Sequence, residues 1–281
     1  MCEECGCSKP GPYRIGVIAS EDEAETDLHR LEGGSSHDHL HSHDHGHPHD
    51  HLHDHYHEHH IVEVNAALLG RNDRIAEQNR GAYHALNLLT LNVVSSPGSG
   101  KTTLLQATLT ALRGRLHAGV IVGDLATDND AARLRSTGVP VVQISTGTLC
   151  HLEADMVAQA MKKLDLRALD LLVIENVGNL VCPASFDLGE AVRVVLLSVT
   201  EGEDKPLKYP PMFHSADVVI LTKTDLETAA GFDRETALRN IRHSSPNAKI
   251  FELSARSGEG LPAWCDYLVE LKKRWLDLRW D

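Results

Sequence analysis

Residues 91–103 read LNVVSSPGSGKTT: an apolar run, a Pro/Gly loop, then Lys-Thr-Thr opening an amphipathic stretch. Gly98 and Gly100 let the backbone curl so that successive N–H groups face a phosphate at a helix N-terminus, where the dipole favours anions. Lys101 is placed to reach β and γ phosphates and Thr102 to offer a hydroxyl to Mg²⁺, with Ser99 and Thr103 completing the set. The run departs from the P-loop consensus at its first position, where Ser95 stands for Gly.

Base choice is written in LTKTD, residues 221–225. An Asp at that point can accept hydrogen bonds from N1–H and the exocyclic amine of guanine, a donor pair adenine lacks. Asp225 is therefore the expected guanine reader, Lys223 lies along the base, and Ser254 and Ala255 in the later SAR back the guanine carbonyl. Thr222 replaces the Asn usual in such motifs. Asp124, ending AGVIVGD, and Glu175, ending LDLLVIE, are the acids expected beside Mg²⁺ and the attacking water, Glu175 with Gly178 taking the place of an Asp-x-x-Gly switch. Asp128 and Asp130 are further acids of this set, or caps of the next helix.

Three groups of residues suit metals. Cys2, Cys5 and Cys7 form CxxCxC, enough thiolate to wrap one thiophilic ion; with the N-terminal amine nearby, a square-planar N,S site favours Ni²⁺ over tetrahedral Zn²⁺. The tract HDHLHSHDHGHPHDHLHDHYHEHH carries His37, His39, His41, His43, His45, His47, His49, His51, His53, His55, His57, His59 and His60. Such an array holds several ions weakly, which is storage. Cys150 and His151 in TGTLCHLEADM, with Cys182 seven residues beyond Glu175, make a third set on the segment that should respond to a γ-phosphate. Cys265, in LPAWCDYLVEL, is assigned to packing.

These residues need an α/β scaffold, and the chain has the length for one. Residues 1–60 lack apolar periodicity and read as a disordered extension, and 61–281 as one domain. Residues 61–89 have helical spacing, as one or two helices. Strands are expected near 90–96, 118–124, 140–145, 169–175, 192–199, 217–222 and 248–253, and helices near 101–113, 128–136, 151–164, 233–243 and 261–276. Runs such as DVVILT without period-2 polarity indicate a mostly parallel sheet covered on both faces, with ligands at the carboxyl ends of its strands. The formal charge of -13 speaks against a nucleic-acid surface, and the sequence offers neither a membrane span nor a secretory signal, so a cytoplasmic protein is expected.

Together the Cys motif, the histidine tract, SSPGSGKTT, GDLATDNDA, TGTLCHLEADM, IENVGNLVCP and KYPPMF at 208–213 resemble the HypB family of hydrogenase nickel incorporation GTPases, related to the urease accessory GTPase UreG. The resemblance covers nearly the whole chain. It implies a P-loop fold of the dimeric GTPase class, hydrolysis of GTP to GDP coupled to nickel transfer, and a homodimer dependent on nucleotide or metal. It also implies the zinc protein HypA and a [NiFe]-hydrogenase large-subunit precursor as partners, and Ni²⁺ or Zn²⁺ on Cys150, His151, Cys182, Cys2, Cys5 and Cys7. A nickel or zinc store with a weak regulatory nucleotide switch is the alternative; a small-molecule kinase lacks an evident Arg-rich lid.

Overall fold

The computed structural model describes residues 13–17, 54–125 and 129–277, with residues 54–66, 276 and 277 described in backbone only. Cys2, Cys5, Cys7, Asp128 and the histidines from His37 to His53 lie outside the described residues, while His55, His57, His59 and His60 fall on the first turns of a helix. Everything below concerns one unit, made of Met1–Ile18 and Leu69–Asp281.

Eight strands form one sheet: β1 (Arg14–Val17), β2 (Leu89–Ser95), β3 (Ala118–Asp124), β4 (Val141–Ser145), β5 (Leu171–Glu175), β6 (Val192–Ser198), β7 (Val218–Thr222) and β8 (Lys249–Leu253). Their order is β1-β4-β3-β5-β2-β6-β7-β8. All pairings are parallel except that of β1, which runs antiparallel to β4 with Arg14 opposite Ser145. The central strands are buried along their whole length and mostly apolar because helices cover both faces, so neither set of alternating side chains meets water.

The helices are α1 (Asp54–Ala85), α2 (Lys101–Leu112), α3 (Asn129–Arg135), α4 (Ala154–Met161), the short α5 (Lys205–Lys208), α6 (Pro210–His214) and α7 (Glu227–Ala230), then α8 (Arg234–Ser244) and α9 (Leu261–Asp277). On one face, Leu104, Leu105 and Leu109 of α2, Leu134 of α3, and Trp264 and Leu268 of α9 pack on Val93, Val120, Val173 and Ile220. On the other, Tyr83 of α1 and Met156 and Val157 of α4 cover Ile121, Ile144 and Ile174, while Phe213 of α6 and Ile241 of α8 cover Val195 and Val219. Burying a Leu, Val or Phe in this way contributes about 1.5–3 kcal/mol each. Cys265 packs as expected, 1% exposed, and burial pushes its thiol up to about 11.

The expected strands all form, with ends within two residues. Three features differ from the sequence reading. β1 is an ordered strand inside the first 60 residues, held by its pairing with β4 and by Tyr13 and Ile15 lying on the adjacent core. α1 is a single helix that begins at Asp54 instead of near Ile61. α4 begins at Ala154, not 151, because the Asn72 side chain of α1 accepts a hydrogen bond from Ala154 N at 2.9 Å and Glu153 is extended at the cap, leaving Cys150 and His151 in a loop.

Candidate nucleotide and metal site

β2 delivers the chain to the loop Ser96–Gly100 at the carboxyl edge of the sheet, and α2 leaves from it. Gly98 at φ 74° and Gly100 at φ 96° take left-handed backbone that side chains resist, and so the loop closes ahead of Lys101. Within it, Ser99 Oγ donates to Ser95 Oγ at 2.5 Å, and the Lys101 Nζ donates to the same Ser95 Oγ at 3.0 Å. Ser95 at the departed consensus position is thus a resting point for the lysine. Burial lowers the Lys101 pKa, against the pull of Glu175 and other acids that raises it.

The TKTD turn closes on the loop from β7. Thr222 Oγ1 donates to the Ser99 carbonyl at 2.9 Å, and Lys223, itself left-handed at φ 58°, donates from Nζ to the Gly98 carbonyl at 2.7 Å. Thr222, standing where Asn is usual, thus ties the TKTD turn to the glycine loop through the Ser99 carbonyl. Asp225 is exposed, one residue beyond Thr224, and Ser254 Oγ accepts from Arg256 N and Ser257 N at 3.2 and 3.1 Å, which shapes the Ser254–Ala255 turn at the end of β8.

Glu175 ends β5 directly opposite Val93 of β2 and Val122 of β3. Thr102 Oγ1 donates to its Oε1 at 2.7 Å, while its Oε2 is buried without a hydrogen-bond partner. Burial pushes the carboxyl up to about 7, with Lys101 and Thr102 pulling the other way. A hydroxyl and a buried carboxylate oxygen lacking a partner fit a divalent cation such as Mg²⁺. Asp124 ends β3 on the same edge, its Oδ1 accepting from Leu125 N at 2.8 Å. Asp130 lies in the first turn of α3. Past Glu175, a Cβ on Gly178 would stand 3.1 Å from Pro97 Cα, so glycine lets the segment run against the phosphate loop.

The same segment reaches Cys182 and meets the loop after β4. Cys150 Sγ and Cys182 Sγ lie 2.9 Å apart, and the ligand atoms of Cys150, His151 and Cys182 all fall within 4.8 Å of one another. No other such group of three stands among the described residues. His151 is 2% exposed, stacks on Phe186 with ring centroids 3.9 Å apart, and has both ring nitrogens buried without a hydrogen bond. Two sulfurs and an imidazole suit a borderline-soft cation, Ni²⁺ or Zn²⁺.

A family model described as the CobW/HypB/UreG nucleotide-binding domain matches residues 89–252, over half of the chain. Hydrogenase maturation factor HypB of Azotobacter chroococcum mcd 1 is 52% identical over 221 residues, 79% of this chain and 72% of that protein. This chain belongs to the HypB family. The Escherichia coli K12 HypB is likewise 52% identical over 208 residues, 74% of this chain and 72% of that one. Among solved structures, HypB from Helicobacter pylori in complex with nickel has a TM-score of 0.70 at 43% identity, covering 73% of this chain and 96% of that one. HypB from Archaeoglobus fulgidus has a TM-score of 0.68 at 39% identity, covering 72% and 99%. Membership of the HypB family agrees with the parallel sheet and the glycine loop described above.

Polar groups that composition and motif did not reveal hold this site in place. Asn79 of α1 donates to the Ala154 and Leu188 carbonyls at 2.9 and 3.3 Å, and Arg80 pairs with Asp187 at 2.5 Å. Gly189 at φ 84° lets α1 pass, since a Cβ there would meet the Ala76 carbonyl at 2.4 Å. The available signal was polar residues, such as Asn92, inside otherwise apolar strands.

Proposed function

We propose that this chain is a GTP-hydrolysing nickel metallochaperone that delivers nickel during [NiFe]-hydrogenase maturation in the cytoplasm, and stores nickel on its histidine tract. The observation that carries this reading is that a single stretch, Glu175 to Cys182, touches the phosphate loop at one end and the Cys150–His151 loop at the other. Gly98, Ser99, Gly100, Lys101, Thr102 and Thr103 would hold the phosphates, Asp225 with Lys223, Ser254 and Ala255 the guanine, and Thr102, Asp124 and Glu175 a Mg²⁺ ion. That ion would neutralise charge on the transferring phosphoryl group. Lys101, half-buried, adds a cation at the same place, and Asp124 and Glu175, ending β3 and β5 on the same edge of the sheet, would orient a water.

Nickel is the cargo. It would rest on Cys150, His151 and Cys182, with Zn²⁺ as a competitor of similar taste, and a tighter ion on Cys2, Cys5 and Cys7. The relatives are hydrogenase maturation factors, which supports a hydrogenase as client, and the family resemblance supports HypA as partner and a homodimer as the working form. Among the described residues no helix is long and apolar enough to cross a membrane.

Release of nickel from loaded protein tests the reading. With client precursor present, GTP should speed nickel transfer over GDP, and Lys101→Ala should remove the difference. Equal transfer with GTP and GDP in the parent would favour storage over delivery.

A further inference from the structure

The Glu175–Cys182 stretch reaches the two cysteines, but His151 sits on a different loop, before α4. A second, largely buried connection leads to it. Asn176, next to Glu175 and 1% exposed, donates its backbone N–H to the Val93 carbonyl of β2 at 3.0 Å. Its Oδ1 accepts from Val177 N at 2.9 Å and from Leu152 N at 3.2 Å, the residue after His151. Its Nδ2 donates to Asn92 Oδ1 at 3.2 Å, and Asn92, 0% exposed, donates in turn to Glu190 Oε1 at 2.9 Å. Glu190 holds Arg193 through Nε at 2.8 Å, and Arg193 Nη2 donates to the carbonyl of Phe186 at 3.2 Å. Phe186 is the ring stacked on His151.

His151 is therefore gripped from both sides by one network centred on Asn176. Neither of its ring nitrogens is hydrogen-bonded, and Glu153 Oε1 stands 3.7 Å from Nε2, beyond hydrogen-bond reach, so the ring is held chiefly by the Leu152 backbone on one side and the Phe186 face on the other. Asn176 and Asn92 are hydrogen-bonded and 1% and 0% exposed, so bulk water does not reach either to replace a lost partner. A displacement of Glu175 carries Asn176, and Leu152 must follow or leave a buried N–H orphaned.

We propose that Asn176 is a positioning residue through which the occupancy of the nucleotide site sets where His151 presents its ligand nitrogen, with the Asn92–Glu190–Arg193–Phe186 chain holding the opposite face of the ring. This rests on the reading above that nucleotide and nickel are coupled, and adds a route independent of Cys182. The cysteines supply ligands in either state; the imidazole is the ligand whose approach the nucleotide governs.

The test measures Ni²⁺ affinity with GDP and with a non-hydrolysable GTP analogue. It uses the full chain carrying Cys2→Ser, Cys5→Ser and Cys7→Ser, and subtracts the histidine-tract signal with a further Cys150→Ser, Cys182→Ser chain. The parent should show a ratio between nucleotide states of about 5–150-fold. Asn176→Ala and Phe186→Leu should each bring that ratio to within about twofold of one, while Phe186→Tyr, which keeps the ring, retains it. A merely structural role would weaken nickel equally in both nucleotide states and leave the ratio intact, which overturns the proposal. Phe186 is only half-buried, so its pair of variants decides the matter if Asn176→Ala does not fold. A ratio of one in the parent itself would overturn the underlying coupling, a failure distinguishable because it precedes any change at Asn176.

Discussion

The phosphate loop and the metal pocket are joined by one stretch of chain, yet they are finished to different degrees. Around the loop, Ser99, Lys101, Thr102, Thr222 and Lys223 all rest on protein acceptors. In the pocket, His151 buries two ring nitrogens without a hydrogen bond, the nearest carboxylate being Glu153 Oε1, 3.7 Å from Nε2. The difference follows from ligand charge. Donors meant for an anion can wait on carbonyls and hydroxyls, so that end of the site can be built in advance. Lone pairs meant for a cation find few N–H groups to rest on in an apolar pocket, and are satisfied only when the metal arrives. Glu175 belongs half to each kind, with Oε1 bonded and Oε2 waiting.

The sharpest break in the comparison is Lys101→Ala. Removing a prebuilt charge from the phosphate end should lower GTP turnover at least 10²–10³-fold, the scale of a lost electrostatic contact to a transition state. Phosphate release at saturating GTP reads it, and turnover within threefold of the parent would mean that the lysine serves the fold alone. At the other end, metal should stabilise the folded chain in proportion to what waits for it. At a nickel concentration about 100 times the dissociation constant the gain is about 2.7 kcal/mol, or roughly 5–10 °C in melting temperature for a domain of this size. Cys150→Ser with Cys182→Ser should abolish that shift. The histidine tract, whose ligands are neighbours in sequence, should bind metal in folded and unfolded chains alike and contribute little to the shift.

The smallest expected effect concerns Glu175. Its folded pKa, about 7, lies above the ordinary value of 4.5. The folded state therefore favours the protonated form, and nucleotide-free protein should lose stability as pH rises from about 4.5 to about 7, by on the order of 1–3 kcal/mol. Glu175→Gln should flatten that slope in a denaturant titration run at pH 5 and pH 7.5, whereas an unchanged slope would locate the titration elsewhere.

Much of this was legible in the sequence. β2, β3, β5, β6 and β7 are made mostly of Val, Ile and Leu, and a strand buried on both faces can hardly be written otherwise. The glycine loop ahead of Lys101 and Thr102 was equally readable, because it depends on residue type at short spacing, and Cys150, His151 and Cys182 do lie together in the structure. What escaped depends on partners far along the chain. Asn92 and Asn176 are 84 residues apart, and Asn72 caps α4 from 82 residues away. A single polar letter inside an apolar strand announces that a partner exists without naming it. β1 escaped for a related reason: RIGV has too little apolar content to declare a strand, and takes its conformation from the edge it pairs with.

That edge carries a consequence for handling the protein. β4 reads VVQIS, with Val142 and Ile144 at 0% exposure, and β1 is what occupies its outer row of backbone N–H and C=O groups. β1 itself makes a poor docking strand, four residues long with Arg14 and Gly16 turned outward. Trimming the chain before residue 61 to study the domain without its metal-rich extension would strip off this cover as well. The product would present a bare, β-branched margin to its neighbours, an invitation to edge-on aggregation that has nothing to do with nickel.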